Sequence, residues 1–226
     1  MIKAQSFFDW HRYHMDFYTI LLIAPPIILS LTVHEYAHAL SAWYFGDDTA
    51  KKLGRLTLNP LAHLDFLGTI MLFIVHLGWA KPVPVNPANF ANPRKAMLYV
   101  SLAGPASNIV LAFFCGLCLR FLDVFLLESG PAVQMVIIIL NYGLYINLVL
   151  AFFNMIPIPP LDGSKVLFSF IPSEYDSYIE KYSAVGPWAL LLLILLGNRM
   201  EFSVIWLFVE PPVSFFTKIF GGTPFF

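Results

Sequence analysis

Uncharged, largely apolar residues run in long blocks along this chain of 226 residues, at 17–34, 66–80, 96–119, 129–161 and 182–198. A last block, 202–226, is interrupted by Glu210, Pro211, Pro212 and Lys218. A helix needs about 20 apolar residues to cross the hydrocarbon of a bilayer. The blocks at 17–34, 96–119 and 129–161 meet or approach that length, 182–198 falls a little short, and 202–226 is broken. The block at 66–80 is too short for an upright crossing and is expected to dip in or lie along the surface. The pattern predicts an all-α polytopic membrane protein with about five to six transmembrane helices. Between the first two long blocks the texture changes. Arg55-Leu56-Thr57-Leu58-Asn59 and Pro82-Val83-Pro84-Val85-Asn86 alternate with a period of two. They predict a small strand-like or re-entrant insert, in which the prolines permit only an edge strand. Asn-Pro recurs at 59–60, 86–87 and 92–93 and marks turns. No internal repeat or long linker divides the chain, which predicts one membrane domain over 1–226, with a core at 17–163 and C-terminal helices at 182–220.

Composition strengthens this picture. Apolar and aromatic residues make up 58% of the chain and charged ones only 12%, against about half and about a quarter in a soluble domain. The mean hydropathy of +0.73 places the surplus apolar surface against lipid. Thirteen Lys and Arg against fourteen Asp and Glu leave a net charge of -1, which removes the basic footprint that nucleic-acid binding requires. Cys115 and Cys118 share one apolar run, so their spacing reads as small residues packing between helices rather than a disulfide scaffold or redox site. Residues 1–16 carry Asp9, His11, Arg12, His14 and Asp16 rather than a basic start and a short apolar run, so the first helix is expected to stay as an anchor. Six of the thirteen cations, Lys51, Lys52, Arg55, Lys81, Arg94 and Lys95, fall between the first helix and the block at 96. Short basic loops stay in the cytoplasm, so this insert is expected there and the N-terminus outside.

Chemistry enters at the end of the first helix, where His34-Glu35-Tyr36-Ala37-His38 forms an H-E-x-x-H pattern. Residues four apart in a helix share a face, so both imidazoles can chelate one zinc ion while Glu35 reaches a water beside it. Ionisable groups cost about 2.5–3.5 kcal/mol each at the centre of a membrane helix and are rare there without a role. A zinc site of this kind needs a third protein ligand. The best candidate is Asp162, at the end of Asn154-Met155-Ile156-Pro157-Ile158-Pro159-Pro160-Leu161-Asp162-Gly163. Its prolines forbid a regular helix, and broken backbone near membrane depth is tolerated where protein or a watery cavity covers it. The expected topology agrees. With 66–80 not crossing, the helix from 96 goes out and the block from 129 returns, bringing Asp162 to the level of the histidines.

In this order, His34-Glu35-x-x-His38, Gly104-Pro105-Ala106-Ser107-Asn108 and Asn154-x-x-Pro157-x-Pro159-Pro160-Leu161-Asp162-Gly163 resemble the site-2 protease family of intramembrane zinc metalloproteases across residues 17–163. The resemblance implies one zinc ion on His34, His38 and Asp162, and Glu35 as general base. It implies that Asn154 helps to hold the substrate carbonyl or oxyanion, and that Asn108 lines the pocket. The substrate it implies is a transmembrane protein or peptide, cut within the lipid bilayer. Residues 78–87, Gly-Trp-Ala-Lys-Pro-Val-Pro-Val-Asn-Pro, resemble the compact bacterial and archaeal branch. That branch implies the cell membrane of a prokaryote, and the placement of the basic residues puts the active site toward the cytoplasm. Many relatives insert a PDZ domain between the motifs, and this chain has no room for one there.

The strand-like pieces at 56–59 and 83–86 could catch an unwound substrate by edge pairing, with Val83 and Val85 in contact. Pro25-Pro26 is expected to kink the first helix and open a route for water. His63, Asp65 and His76 read more readily as satisfied polar residues than as ligands, and Asn141 and Asn147 as hydrogen-bonding partners of neighbouring helices. A non-hydrolytic membrane scaffold or transporter retaining a metal site is the competing reading, and Glu35 discriminates, because a pure binding site needs no base between its histidines.

Overall fold

The computed structural model describes residues 17–68, 79–125, 130–199 and 204–222. Helix α1 spans Phe17–Tyr44 with Pro25 and Pro26 inside it. It is one continuous helix that runs past His38 rather than ending there. Ser30 and Thr32 donate their hydroxyl hydrogens to the carbonyls of Pro26 and Ile28, at 2.6 and 2.7 Å. Such back-bonding satisfies hydroxyls that lipid or an apolar core would otherwise penalise. A single turn, α2 at Thr49–Lys52, follows, and the stretches 53–65 and 79–92 are irregular chain with short 3-10 turns at Pro60–Ala62 and Pro87–Asn89.

All three Asn-Pro pairs act as caps. The side-chain oxygens of Asn59, Asn86 and Asn92 accept from the N–H groups of Leu61, Ala88 and Lys95, each at 3.1 Å. Each following proline takes the first helical position, where no N–H is needed. The third pair opens α3, Pro93–Phe125, and Pro131 after Gly130 opens α4, Pro131–Asn154. Then come α5, Asp162–Phe170, α6, Asp176–Arg199, and α7, Val204–Gly221. Among the described residues five helices are long and apolar enough to cross a membrane, and the chain is an all-α multi-pass membrane protein. The block at 182–198, marginal by length alone, lies in one such helix, and residues 204–221 of the last block form another.

Small residues let these helices approach. Ala39, Ala42, Ala112 and Ala151 are fully buried. A Cβ on Gly116 would meet the Phe220 backbone at 2.7 Å, and one on Gly143 would meet Cys115 Sγ at 3.0 Å. Cys115 therefore packs α3 onto α4, as expected of a small membrane-helix residue. Leu144 and Leu148 of α4 sit at the centre of the larger apolar core, with Ala112 and Leu119 of α3 and Val209 and Val213 of α7. Phe113, Phe121, Trp188, Leu192 and Phe208 face outward, as a lipid-facing surface requires.

The strand expectation fails among the described residues. Segments 55–59 and 82–86 join no ladder; the sole pairing is an isolated antiparallel bridge between Leu64 and Ala80, beside which Lys81 N–H donates to the His63 carbonyl at 2.8 Å. The reason is local: Pro82 and Pro84 have no N–H to give, and that of Val83 is directed to Glu35, at 2.9 Å. The expectations for residues 1–16, for most of the 66–80 block and for His76 lie outside the described residues.

Candidate metal centre

His34 and His38 sit in the C-terminal half of α1, and Asp162 is the first residue of α5. The turn that delivers Asp162 leaves no room for a side chain next to it, since a Cβ on Gly163 would stand 2.2 Å from the Met155 carbonyl oxygen. The Nε2 atoms of His34 and His38 are 3.0 Å apart, and each lies 3.1 Å from Asp162 Oδ2. These three residues are 5%, 7% and 5% exposed.

The partners of the other ring nitrogens decide what this cluster can hold. His34 Nδ1 faces Asn108 Oδ1 at 2.6 Å, and His38 Nδ1 faces the Val100 carbonyl at 2.7 Å. Asn108 is itself oriented, because its amide nitrogen donates to the Ser30 carbonyl at 3.1 Å and to Asn147 Oδ1 at 2.7 Å. Its oxygen must then point at His34, so both Nδ1 atoms are assigned as donors and both Nε2 atoms keep lone pairs. Two nitrogen lone pairs and a carboxylate oxygen thus converge at 3.0–3.1 Å, an arrangement that needs a positive charge in its midst. Zinc–ligand bonds of about 2.0–2.1 Å place tetrahedral ligands about 3.3 Å apart, so the donor set suits a zinc ion. Among the described residues this is the group of histidine, cysteine and acidic side chains close enough together to hold a metal.

Helix α3, which carries Val100 and Asn108, also backs the cluster closely. A Cβ on Gly104 would lie 2.4 Å from His38 Nε2 and 2.6 Å from His34 Nε2, so only a glycine lets α3 pass there. Lys165 donates to the second oxygen of Asp162 at 3.3 Å.

A cavity of about 340 Å³ opens on the site. Glu35, Val83, Val85, Ser101 and Asn154 line it together with the three candidate ligands. Asn154 reaches it while donating one amide hydrogen to the Leu150 carbonyl at 2.9 Å. Asn108 does not line it; fully buried, it buttresses His34 instead. The wall carrying Val83 and Val85 is pinned at both ends. Arg55, itself buried, donates to the Lys81 carbonyl; burial lowers its pKa, against the attraction of the Glu35 carboxylate. At the other end Asp47 accepts from the Asn86 backbone at 2.7 Å, the Asn89 amide at 2.6 Å and the Thr49 hydroxyl at 2.5 Å. Burial raises the Asp47 carboxyl, but these donors outweigh it and hold it below the usual range. His63 and Asp65 are engaged elsewhere, with the Thr57 carbonyl and the Gly68 N–H.

Among known proteins, the profile of peptidase family M50 matches residues 123–195. Over 197 residues the chain is 38% identical to the "Putative zinc metalloprotease YwhC" of Bacillus subtilis strain 168, covering 87% of this chain and 89% of that one. The chain belongs to peptidase family M50, the site-2 proteases. It is 31% identical over 214 residues to the "Putative zinc metalloprotease Rip2" of Mycolicibacterium smegmatis, covering 89% of this chain and 78% of the relative. It is 23% identical over 202 residues to the "Zinc metalloprotease MJ0392" of Methanocaldococcus jannaschii, covering 88% and 48%. No solved structure gives a significant match. Membership makes this M50 peptidase a zinc metalloprotease in a membrane setting, acting on proteins.

Val100, Gly104, Asn147, Asp47 and Arg55 were not singled out as site residues from sequence. Gly104 opens the Gly104-Pro105-Ala106-Ser107-Asn108 motif. The Val100 contribution is a backbone carbonyl and has no sequence signature, and nothing in the residues around Asp47 ties it to a wall forty residues away.

Proposed function

We propose that this peptidase hydrolyses peptide bonds within or beside the membrane-spanning segments of other proteins, with zinc on His34, His38 and Asp162 and Glu35 as general base. The observation that carries this reading is the convergence of three buried acceptor atoms at 3.0–3.1 Å in a bundle of helices apolar enough to span a bilayer. Zinc held there supplies Lewis acidity, which polarises a carbonyl and makes water a competent nucleophile near neutral pH. Glu35 takes the proton of the attacking water and passes it to the leaving amine. Asn154 retains a second amide hydrogen beyond the one given to Leu150, and it serves the substrate carbonyl as negative charge develops on it.

A helical substrate must unwind to enter, and the extended 82–86 segment is the surface against which it docks, between Val83 and Val85. The cations at 51–55, 81 and 94–95 lie on the same stretch of chain as this wall, which supports an active site toward the cytoplasm. Relatives from bacteria and an archaeon support a prokaryotic cell membrane.

The test is purification in detergent, zinc quantification and a labelled transmembrane peptide. Wild type binds zinc and cuts. Glu35→Gln keeps zinc and loses cleavage by about 10²–10⁴-fold, His38→Ala loses both, and Val85→Asp keeps zinc while cutting poorly. Cleavage by Glu35→Gln at the wild-type rate would refute the assigned chemistry.

A further inference from the structure

Ser101 is the anomaly of α3. It is 1% exposed, and its hydroxyl has no hydrogen-bond partner among the described residues. Leaving such a group unpaired in an apolar setting is unfavourable. Several other helical hydroxyls avoid that state by bonding a carbonyl three or four residues back: Ser30 to Pro26, Thr32 to Ile28, Ser107 to Gly104, Ser169 to Lys165. Thr217 of α7 is unpartnered among the described residues, like Ser101, but does not line the cavity. The carbonyl of Ser101 is also deprived, because Pro105, four residues on, has no N–H to offer it.

Its place in the fold gives the reason. Ser101 lines the cavity shared by Glu35, Asn154 and Asp162. It lies three residues, about one helical turn, before Gly104, on the helix face that passes the two imidazoles. An unwound peptide entering that cavity brings backbone carbonyls that have lost their helical partners and cannot remain unpaired out of water. Each side lacks what the other has.

We propose that Ser101 is a substrate-contacting residue whose hydroxyl donates to a backbone carbonyl of the unwound peptide in the cavity. The proposal rests on the peptide-hydrolysis reading above. Because the contact is to backbone, it tightens binding of ground state and transition state alike.

Ser101→Ala tests it, with the labelled transmembrane peptide as probe. In the Glu35→Gln background, adding Ser101→Ala should weaken peptide binding in detergent about three- to tenfold, as expected for one hydrogen bond. With Glu35 intact, Ser101→Ala should raise KM by the same factor at an unchanged kcat, and Ser101→Thr should restore it. Zinc content and thermal midpoint should not fall, since the alanine removes an unpaired group. Peptide binding and KM equal to wild type overturn the proposal and leave the protease reading standing, as does a KM rise matched by loss of zinc or of thermal stability. A wild-type protein that holds zinc and cuts no peptide sinks the protease reading, and this proposal with it.

Discussion

Replacing Gly104 by alanine separates the metal site from the fold that carries it. The added methyl would stand 2.4 Å from His38 Nε2, 2.6 Å from His34 Nε2 and 2.7 Å from His34 Cε1. Ordinary van der Waals contact requires each ring to retreat by about 1 Å, whereas zinc–ligand distances tolerate about 0.2 Å. Disturbing the support of one ligand typically weakens metal binding 10–100-fold. Here two ligands are displaced directly, so zinc affinity should fall by at least about 100-fold, or roughly 2.7 kcal/mol. The helix itself gains from the change, because alanine is favoured over glycine by about 0.8–1.0 kcal/mol in a helix interior. Competition with a chromophoric chelator reads the affinity, and far-ultraviolet circular dichroism reads the helices. Gly130→Ala, where the methyl meets nothing within 4 Å, is the control and should match wild type in both. A Gly104→Ala protein that binds zinc as wild type does would show that the rings do not lie against α3 as described.

Two further outcomes are expected. Asn108→Ala removes the bonds to the His34 Nδ1–H, the Ser30 carbonyl and Asn147 Oδ1. It should weaken zinc binding 10–100-fold by the same chelator assay and lower stability by about 1–3 kcal/mol in thermal denaturation; wild-type values in both would contradict the assigned bonds. Asp47 has a carboxyl pKa held low in the folded state. Its contribution is therefore present above the unfolded carboxylate pKa of about 3.9 and fades as pH falls through the lower folded value. The thermal midpoint of Asp47→Asn should lie below wild type at pH 7 and converge with it below about pH 4, and curves that stay parallel would exclude that linkage.

The lipid-facing architecture could be read from length and composition because a bilayer imposes both: every span must be long, apolar and internally hydrogen-bonded. The two histidines were legible through helical periodicity, and the Asn-Pro pairs through the fixed geometry of proline at a helix start. The strand reading of 82–86 went astray although the alternation is real. Periodicity records which side chains share a face, but not that Pro82 and Pro84 withhold their N–H groups or that Val83 gives its own to Glu35. Asn108 was expected to line the pocket and instead supports His34. Its motif said that it mattered, whereas its contact with His34 spans 74 positions and depends on how α1 and α3 cross. Pro25 and Pro26 lie within a helix that continues through them.

The bonds around His34 have a consequence for how the protein is handled. One imidazole is steered by an amide on α3, which is steered in turn by Asn147 on α4, while the carboxylate arrives from α5. Loading the ion and holding four helices in register are therefore a single equilibrium, and ion present at a thousand times its dissociation constant adds about 4.1 kcal/mol to the assembled state. Extraction with a chelator in the buffer should loosen the bundle at its middle, and stripping followed by reloading is then a reassembly of helices as much as a titration.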